Sequence, residues 1–444
     1  MLKFPPDHAL RITLAEEVHA RPPEPVRTPA RATYVAVLVD TDDRGRELAH
    51  IGALCARHGV TPPAAGATHF RAQLGALRLK WERHGEFSGY TFIADGKTEG
   101  RAFDSPAAAL LPADWLAAAP GATIAAVHAE LLPAASRPAE AERLNEAFAG
   151  QIIGAGIADG AAQVFTDFQL HAGCSRLLIV DEGLTERQSG RTLQRLFEIE
   201  AYRMLALLAL PIARRQSPRI VEIESALATL TDGIAQARAQ DTDRVTDSAA
   251  NRQQQDEALL HELTRLAAEI ESGLAASQFR FGACRAYFEL VTRRVAELRE
   301  TRLPGMQTYD EFMARRFTPA VDTCATVSQR LHDLSERVAQ ASSLLSTRVS
   351  ITRERQNQAL LASMDRRAKL QLRLQQTVEG LSVAAICYYA AGLVGFAAKA
   401  LNAGGVPLNT DLVVGISIPI AALAVLAAVR RARARLRDGD TPSN

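Results

Sequence analysis

Two uncharged apolar runs near the C-terminus constrain this chain more than any other feature. LSVAAICYYAAGLVGFAA covers residues 381–398, and LVVGISIPIAALAVLAAV covers residues 412–429. Each run of this length makes about 27 Å of helix, close to the thickness of a bilayer core. The flanks give a direction. Arg366, Arg367, Lys369 and Arg373 precede the first run, and Arg430, Arg431, Arg433, Arg435 and Arg437 follow the second. The segment between them holds one basic residue, Lys399. Positive charge accumulates on the cytoplasmic side, so the pair reads as a transmembrane hairpin with both ends inside and a short Gly/Pro loop outside. Together with the absence of an apolar h-region at the N-terminus, this predicts a multi-pass protein of a bacterial inner membrane with most of the chain cytoplasmic.

Small residues stripe both runs. Ala384, Ala391, Gly395 and Ala398 share one face of the first, with Tyr388 between them, and Ser417, Ala421, Ala424 and Ala428 share one face of the second. Close helix contact in lipid depends on such residues, so these faces are expected to pack on each other or on further subunits. Glu379 lies about one turn inside the cytoplasmic boundary and is either a snorkelling, arginine-paired group or a functional one.

The rest of the chain divides by pattern. Residues 1–30 are proline-rich and read as an extended segment lying on another surface. Strands are expected at TYVAVLVD, HFRAQL, ALRLKWERHG, FSGYTFIAD, TIAAVHAELL, QIIGAGIAD, AQVFTDFQL and SRLLIVD, with helices at 43–58 and 107–118. These elements predict a mixed α/β domain over residues 1–185. Helical pattern then dominates a stalk domain over 186–376, with a breaker at Leu303-Pro304-Gly305. Leu331, Leu334, Val338, Ala341 and Leu345 follow the 3,4 spacing of a bundle or coiled-coil stripe. The transmembrane hairpin occupies 377–429, and a basic tail follows over 430–444.

Charge and cysteine usage exclude several classes. Lys plus Arg number 51 against 50 Asp plus Glu, which leaves no overall electrostatic footprint for nucleic acid. Five cysteines, Cys55, Cys174, Cys284, Cys324 and Cys387, form no CxxC pair, so neither a disulfide framework nor a zinc knuckle is expected.

Four groups of residues were weighed for chemistry. GAGIADG at 154–160, with Asp181 closing a later strand, resembles a dinucleotide-binding loop, but its spacing is GxGxxxG and Ala158-Asp159-Gly160 suits a hairpin turn. His8, Glu16, Glu17 and His19 could share a metal, yet no second ligand set supports one, and docking hydrogen bonds are the expected role. His84 and Glu86 are expected on one side of a strand, paired with each other. Arg191, Arg195, Glu198 and Tyr202 fall on one helix face at 4,3,4 spacing, as a solvated ion-pair face or as an ordered network at a domain or subunit interface. GxSxG, Walker A and HExxH motifs are absent, so no catalytic residue and no cofactor are assigned.

Several segments carry a family resemblance: EVHARPPE (17–24), ERHGEFSGYTF (82–92), GRTLQRLFEIEAYR (190–203) and RQNQALLASMDRRAKLQLRLQQTVEGLSVAAICYY (355–389). They resemble a bacterial family of uncharacterised membrane-anchored proteins, classed as a domain of unknown function, which implies membrane anchoring and assigns no catalytic residues. The order of elements is also similar, more distantly, to CorA-type magnesium channels: an α/β domain, helices, a long helix entering the membrane and a second membrane helix. Those channels carry Gly-Met-Asn at the outer end of the first membrane helix. Here that place reads KALNAGG, with only Asn402 comparable, and residues 348–376 hold seven basic and two acidic residues, net +5, where a cation pathway prefers acid rings. Asp365, Arg366, Glu379, Tyr388 and Asn402 are the residues such a pore or its inner mouth would use. The expectation is a non-enzymatic, homo-oligomeric membrane protein of CorA-like architecture, a scaffold or sensor or an ion transporter without the Gly-Met-Asn signature. A CorA-like channel for an inorganic ion and a nucleotide-binding, membrane-tethered enzyme stand as alternatives.

Overall fold

The computed structural model describes residues 5–12, 14–15, 22–98, 100–135, 137–240, 249–404 and 409–438, without the side chains of 137–140, 236–240, 249–253, 429 and 432–438. Glu16, Glu17 and His19 lie outside these residues. The chain divides into two compact units. The first comprises 1–246 and 258–343, and the second comprises 247–257 and 344–444. The boundary expected at 185 falls within the first unit.

The first unit is built on a nine-stranded sheet. Its strands are β1 (Ala30–Leu38), β2 (His69–Leu74), β3 (Leu77–Arg83), β4 (Phe87–Asp95), β5 (Ala122–Pro133), β6 (Ile153–Ile157), β7 (Ala162–Thr166), β8 (Ser175–Asp181) and β9 (Thr301–Arg302). They lie in the order β2-β3-β4-β1-β5-β8-β7-β6-β9. Only β5 and β8 among neighbours run parallel. Eight of the strands sit where period-2 alternation puts them. The ninth, β9, has two residues and pairs with Ala155 and Gly156 from far along the chain. No local pattern marks so short an edge.

Period-2 alternation sorts the side chains of β1, β3 and β4 onto two faces. Val35, Val37, Leu79, Trp81, Tyr90 and Phe92 join one core with Ile51, Leu54 and Cys55 of helix α1 (Arg44–Arg57). At its centre Glu47, fully buried, accepts hydrogen bonds from Trp81 Nε1 at 2.9 Å and Tyr90 Oη at 2.8 Å and pairs with Arg83 at 2.9 Å. Three donors offset the cost of burying that carboxylate. The expected helix at 107–118 shrinks to a 3-10 turn over Ala107–Leu110. Pro112 forces Leu111 into extended backbone, and Trp115 drops into the core.

A short helix α2 (Arg137–Ala147) follows β5, and the remaining helices begin after β8. Helix α3 (Glu186–Leu207) starts at a capping box formed by Thr185 and Gln188. Helix α4 (Leu210–Gln240) begins one residue before Pro211, where the missing N–H costs nothing, and runs on through Pro218. Helix α5 (Ala249–Leu298) precedes β9. A single turn, α6 (Tyr309–Phe312), and a π turn at Met313–Phe317 lead into α7 (Thr318–Ala403). The π turn lies just before Pro319, whose missing donor releases a carbonyl. Leu331, Leu334 and Val338 of α7 are buried within the first unit.

In the second unit, α7 and α8 (Thr410–Asp438) contain two stretches long and apolar enough to cross a membrane. They touch each other through the small-residue stripe: Ala391 and Ala398 are buried, and a β-carbon on Gly395 would meet Val414 Cγ2 at 3.0 Å. The stripe therefore serves contact within one chain, one of the two uses its composition allowed.

Candidate functional site

The second face of β1, β3 and β4 holds a cavity. One cross-strand row sets Arg71, Lys80, Thr91 and Tyr34 side by side. The neighbouring row adds Glu82 and Gly89. In LRLKWER the same alternation that turns Leu79 and Trp81 into the first core turns Lys80 and Glu82 to this side. Helix α3 closes the cavity from above with Leu193, Gln194, Phe197, Glu198 and Tyr202. Glu24 and Val26, from the segment before β1, close one end, and His84 and Phe87 lie at the edge.

The closing segment is held by its backbone. Val26 N–H donates to Glu186 O at 2.9 Å, and Arg78 donates to Pro25 O at 2.6 Å. Arg71 pairs with Glu24 at 2.8 Å and donates to Pro22 O. Gly190 lets the segment lie on α3, since a β-carbon there would overlap the Glu24 carbonyl oxygen. The extended N-terminal segment read from its prolines is thus seen over residues 22–27.

Polar groups converge inside. Lys80, 5% exposed, pairs with Glu82 at 3.0 Å and donates to Gln194 Oε1 at 3.2 Å. An ammonium this buried needs both partners. Tyr34, 7% exposed, stacks on Phe197 at 5.1 Å, with its ring over Gly89. Burial, then the nearby Tyr202, Glu82 and Glu198, push the Tyr34 phenol well above its ordinary range. It stays a neutral O–H donor at physiological pH. The space left accommodates about 40 Å³ of water-molecule centres, room for about three waters or a ligand of a few heavy atoms.

The residues weighed from sequence distribute as follows. Tyr202 is buried, stacks on Tyr287 at 5.5 Å and lines this cavity. Arg195 pairs with Glu297 at 3.0 Å, and Glu198 pairs with Arg294, both partners on α5. That half of the expected face is an ordered network between two helices of one chain, while Arg191 is exposed. His84 and Glu86 do not share a strand face: they form the turn between β3 and β4, His84 stacks on Phe87 at 4.3 Å, and Glu86 pairs with Arg280. The correction follows from β3 ending at Arg83.

Ala158, Asp159 and Gly160, all at positive φ, turn β6 into β7 as a hairpin. Gly154 lies so close to Met306 Sδ and Phe165 that a β-carbon would approach each to 2.7 Å, and Gly156 lies against Thr301. These glycines serve strand packing, not a phosphate turn. Asp181 accepts from Thr28 Oγ1 at 2.5 Å and from the N–H groups of Gly183 and Leu184, as a turn cap. Among the described residues no group of three His, Cys, Asp or Glu could hold a metal.

In the second unit Asp365 pairs with Lys369 at 2.7 Å. Arg366 is exposed and reaches only the Ala362 carbonyl, at 3.4 Å. Tyr388 is exposed against Tyr389, Asn402 is exposed and Glu379 is half-buried with its own interaction. All five lie on α7.

Sequence reasoning missed Tyr34, Lys80, Glu82 and Gln194. One signal was readable: a lysine flanked by leucine and tryptophan in mid-strand, where lysine is uncommon. Three of the segments singled out for resemblance, 17–24, 82–92 and 190–203, contribute Glu24, Glu82, His84, Gly190, Gln194 and Glu198 to the cavity. Residues 6–436 match the protein family described as Protein of unknown function (DUF3422). No curated protein matches the chain.

Proposed function

Since the chain belongs to the DUF3422 family, whose description assigns no activity, we propose a function from its geometry: a membrane-anchored, self-associating sensor or scaffold of the bacterial inner membrane, with the cavity under α3 as its sensing site. One observation carries the reading. The apolar windows of the two C-terminal helices are 6% and 0% buried in the chain. A core helix of a soluble protein would be covered, so these faces suit lipid. Basic residues on both inner flanks favour a cytoplasmic body and an outside loop. The Tyr34 hydroxyl beside the Lys80–Glu82 pair suits a small polar ligand. No catalytic group or cofactor is invoked.

Membrane fractionation combined with cysteine labelling from outside tests the anchoring. Gly404→Cys should react in intact cells and Gly85→Cys only after lysis. The reverse pattern, or recovery of the chain in the soluble fraction, overturns the reading. Native mass spectrometry in mild detergent should give one defined multimer.

A CorA-like channel is the second reading, favoured by one feature: α7 runs unbroken from Thr318 to Ala403 and so links the soluble region to the membrane run. The basic excess over 348–376 argues against a cation pathway. Flux of magnesium into proteoliposomes would support this channel reading, and cation-tight vesicles would reject it.

A further inference from the structure

The bundle or coiled-coil stripe from Leu331 to Leu345 is spent inside the chain: Leu331, Leu334, Val338 and Leu345 are at most 3% exposed. A different face of the same helix is open. Leu360, Leu361, Met364, Leu372, Leu374 and Val378 are between 58% and 68% exposed. These residues are not scattered. Leu361, Met364, Ala368, Gln371, Gln375 and Val378 follow a 3,4,3,4,3 spacing and make an uncharged stripe. Leu360, Arg367 and Leu374 border it on one side and Asp365 and Leu372 on the other; Leu370, 64% exposed, lies off the stripe towards the face that carries Arg366, Lys369 and Arg373. The segment leads without a break into the first apolar run.

We propose that this face, residues 361–378, is where a second copy of the chain docks, as a parallel helix pair directly before the membrane. The proposal rests on the membrane-anchored, self-associating reading and names its contact surface. The occupant follows from the anchoring. Copies in one bilayer point the same way and carry the stripe at the same height, so each residue meets its own counterpart. An uncharged stripe is self-complementary, whereas the basic faces repel and stay outward. Gln371 and Gln375 fit the same geometry: their amides can donate and accept across the pair, and a polar residue inside such a seam fixes register.

Full-length protein with Cys387→Ser, oxidised with copper phenanthroline in native membranes, tests the face. Met364→Cys, Ala368→Cys and Val378→Cys should each give a disulfide-linked product of twice the chain mass, several-fold more than Arg366→Cys or Arg373→Cys. All five positions bear exposed side chains, so folding is not at stake. Stronger linking through the arginine positions, or a product of another mass, overturns the proposal, the latter because a different protein holds the face. No linking in a chain that native mass spectrometry shows to be multimeric places the seam elsewhere and leaves the broader reading standing. A monomer by both measurements removes the self-association reading as well.

Discussion

Gly190 lies so close to the carbonyl oxygen of Glu24 that no other residue fits between them. This contact seats the segment before β1 on α3 and closes the cavity that Lys80 and Tyr34 line. Gly190→Ala should push the segment off, because the obstructing atom is backbone and cannot rotate away. The expected cost is about 1–3 kcal/mol, read as a lower melting temperature together with faster proteolysis between residues 22 and 29. A variant that melts and digests like the parent would show that the segment does not rest on α3.

Lys80 and Tyr34 should respond in opposite ways to truncation. Lys80→Met leaves the half-buried Glu82 without its cation and should cost about 2–3 kcal/mol. Tyr34→Phe keeps the ring stacked on Phe197 and removes only a neutral hydroxyl, so the ligand-free protein should lose at most about 1 kcal/mol. Thermal melts of the two variants decide this. A large loss in Tyr34→Phe would mean that the hydroxyl is already bonded, to water or a retained ligand.

His128 gives the first unit a pH dependence. Burial first, and Arg176 second, lower its pKa to about 4. The Thr33 hydroxyl accepts from the Ala108 N–H at 3.1 Å and lies 3.1 Å from His128 Nδ1, an arrangement that suits a neutral ring. The unfolded chain takes up the proton near pH 6.5 and the folded one only near 4. This contribution to stability is therefore complete above about pH 6.5 and is lost as pH falls towards 4, by up to about 3 kcal/mol. Melting temperatures of the parent and of His128→Gln, followed between pH 7 and 4, should converge as pH falls. Parallel curves would refute the assignment.

Gly395 should matter to the contact of α7 with α8 and not to the proposed self-association. Its open backbone faces Val414, and Gly395→Leu would separate these two apolar helices of one chain. Protease resistance of the hairpin in detergent should fall while the multimer mass by native mass spectrometry stays the same. A shift to monomer would assign the small-residue stripe to subunit contact instead.

The sequence by itself determined those features that repeat over a few residues. FSGYTFIAD and SRLLIVD are β4 and β8 to the residue, because alternation writes a two-faced strand directly into the chain. The two apolar runs declared themselves by length alone, and the turn at Ala158-Asp159-Gly160 by its residue types. Only the tertiary structure decided which surfaces those elements share. Lys80 became a cavity residue when α3, more than a hundred positions later, brought Gln194 to it. The Leu331 stripe suited a bundle as well as a coiled coil until the same chain covered it. Glycines 154 and 156 looked like a phosphate loop until Met306 and Thr301 filled the space above them. In each case periodicity specifies a face, and burial energy is indifferent to which partner covers it. The choice of partner depends on distant segments that no local pattern records.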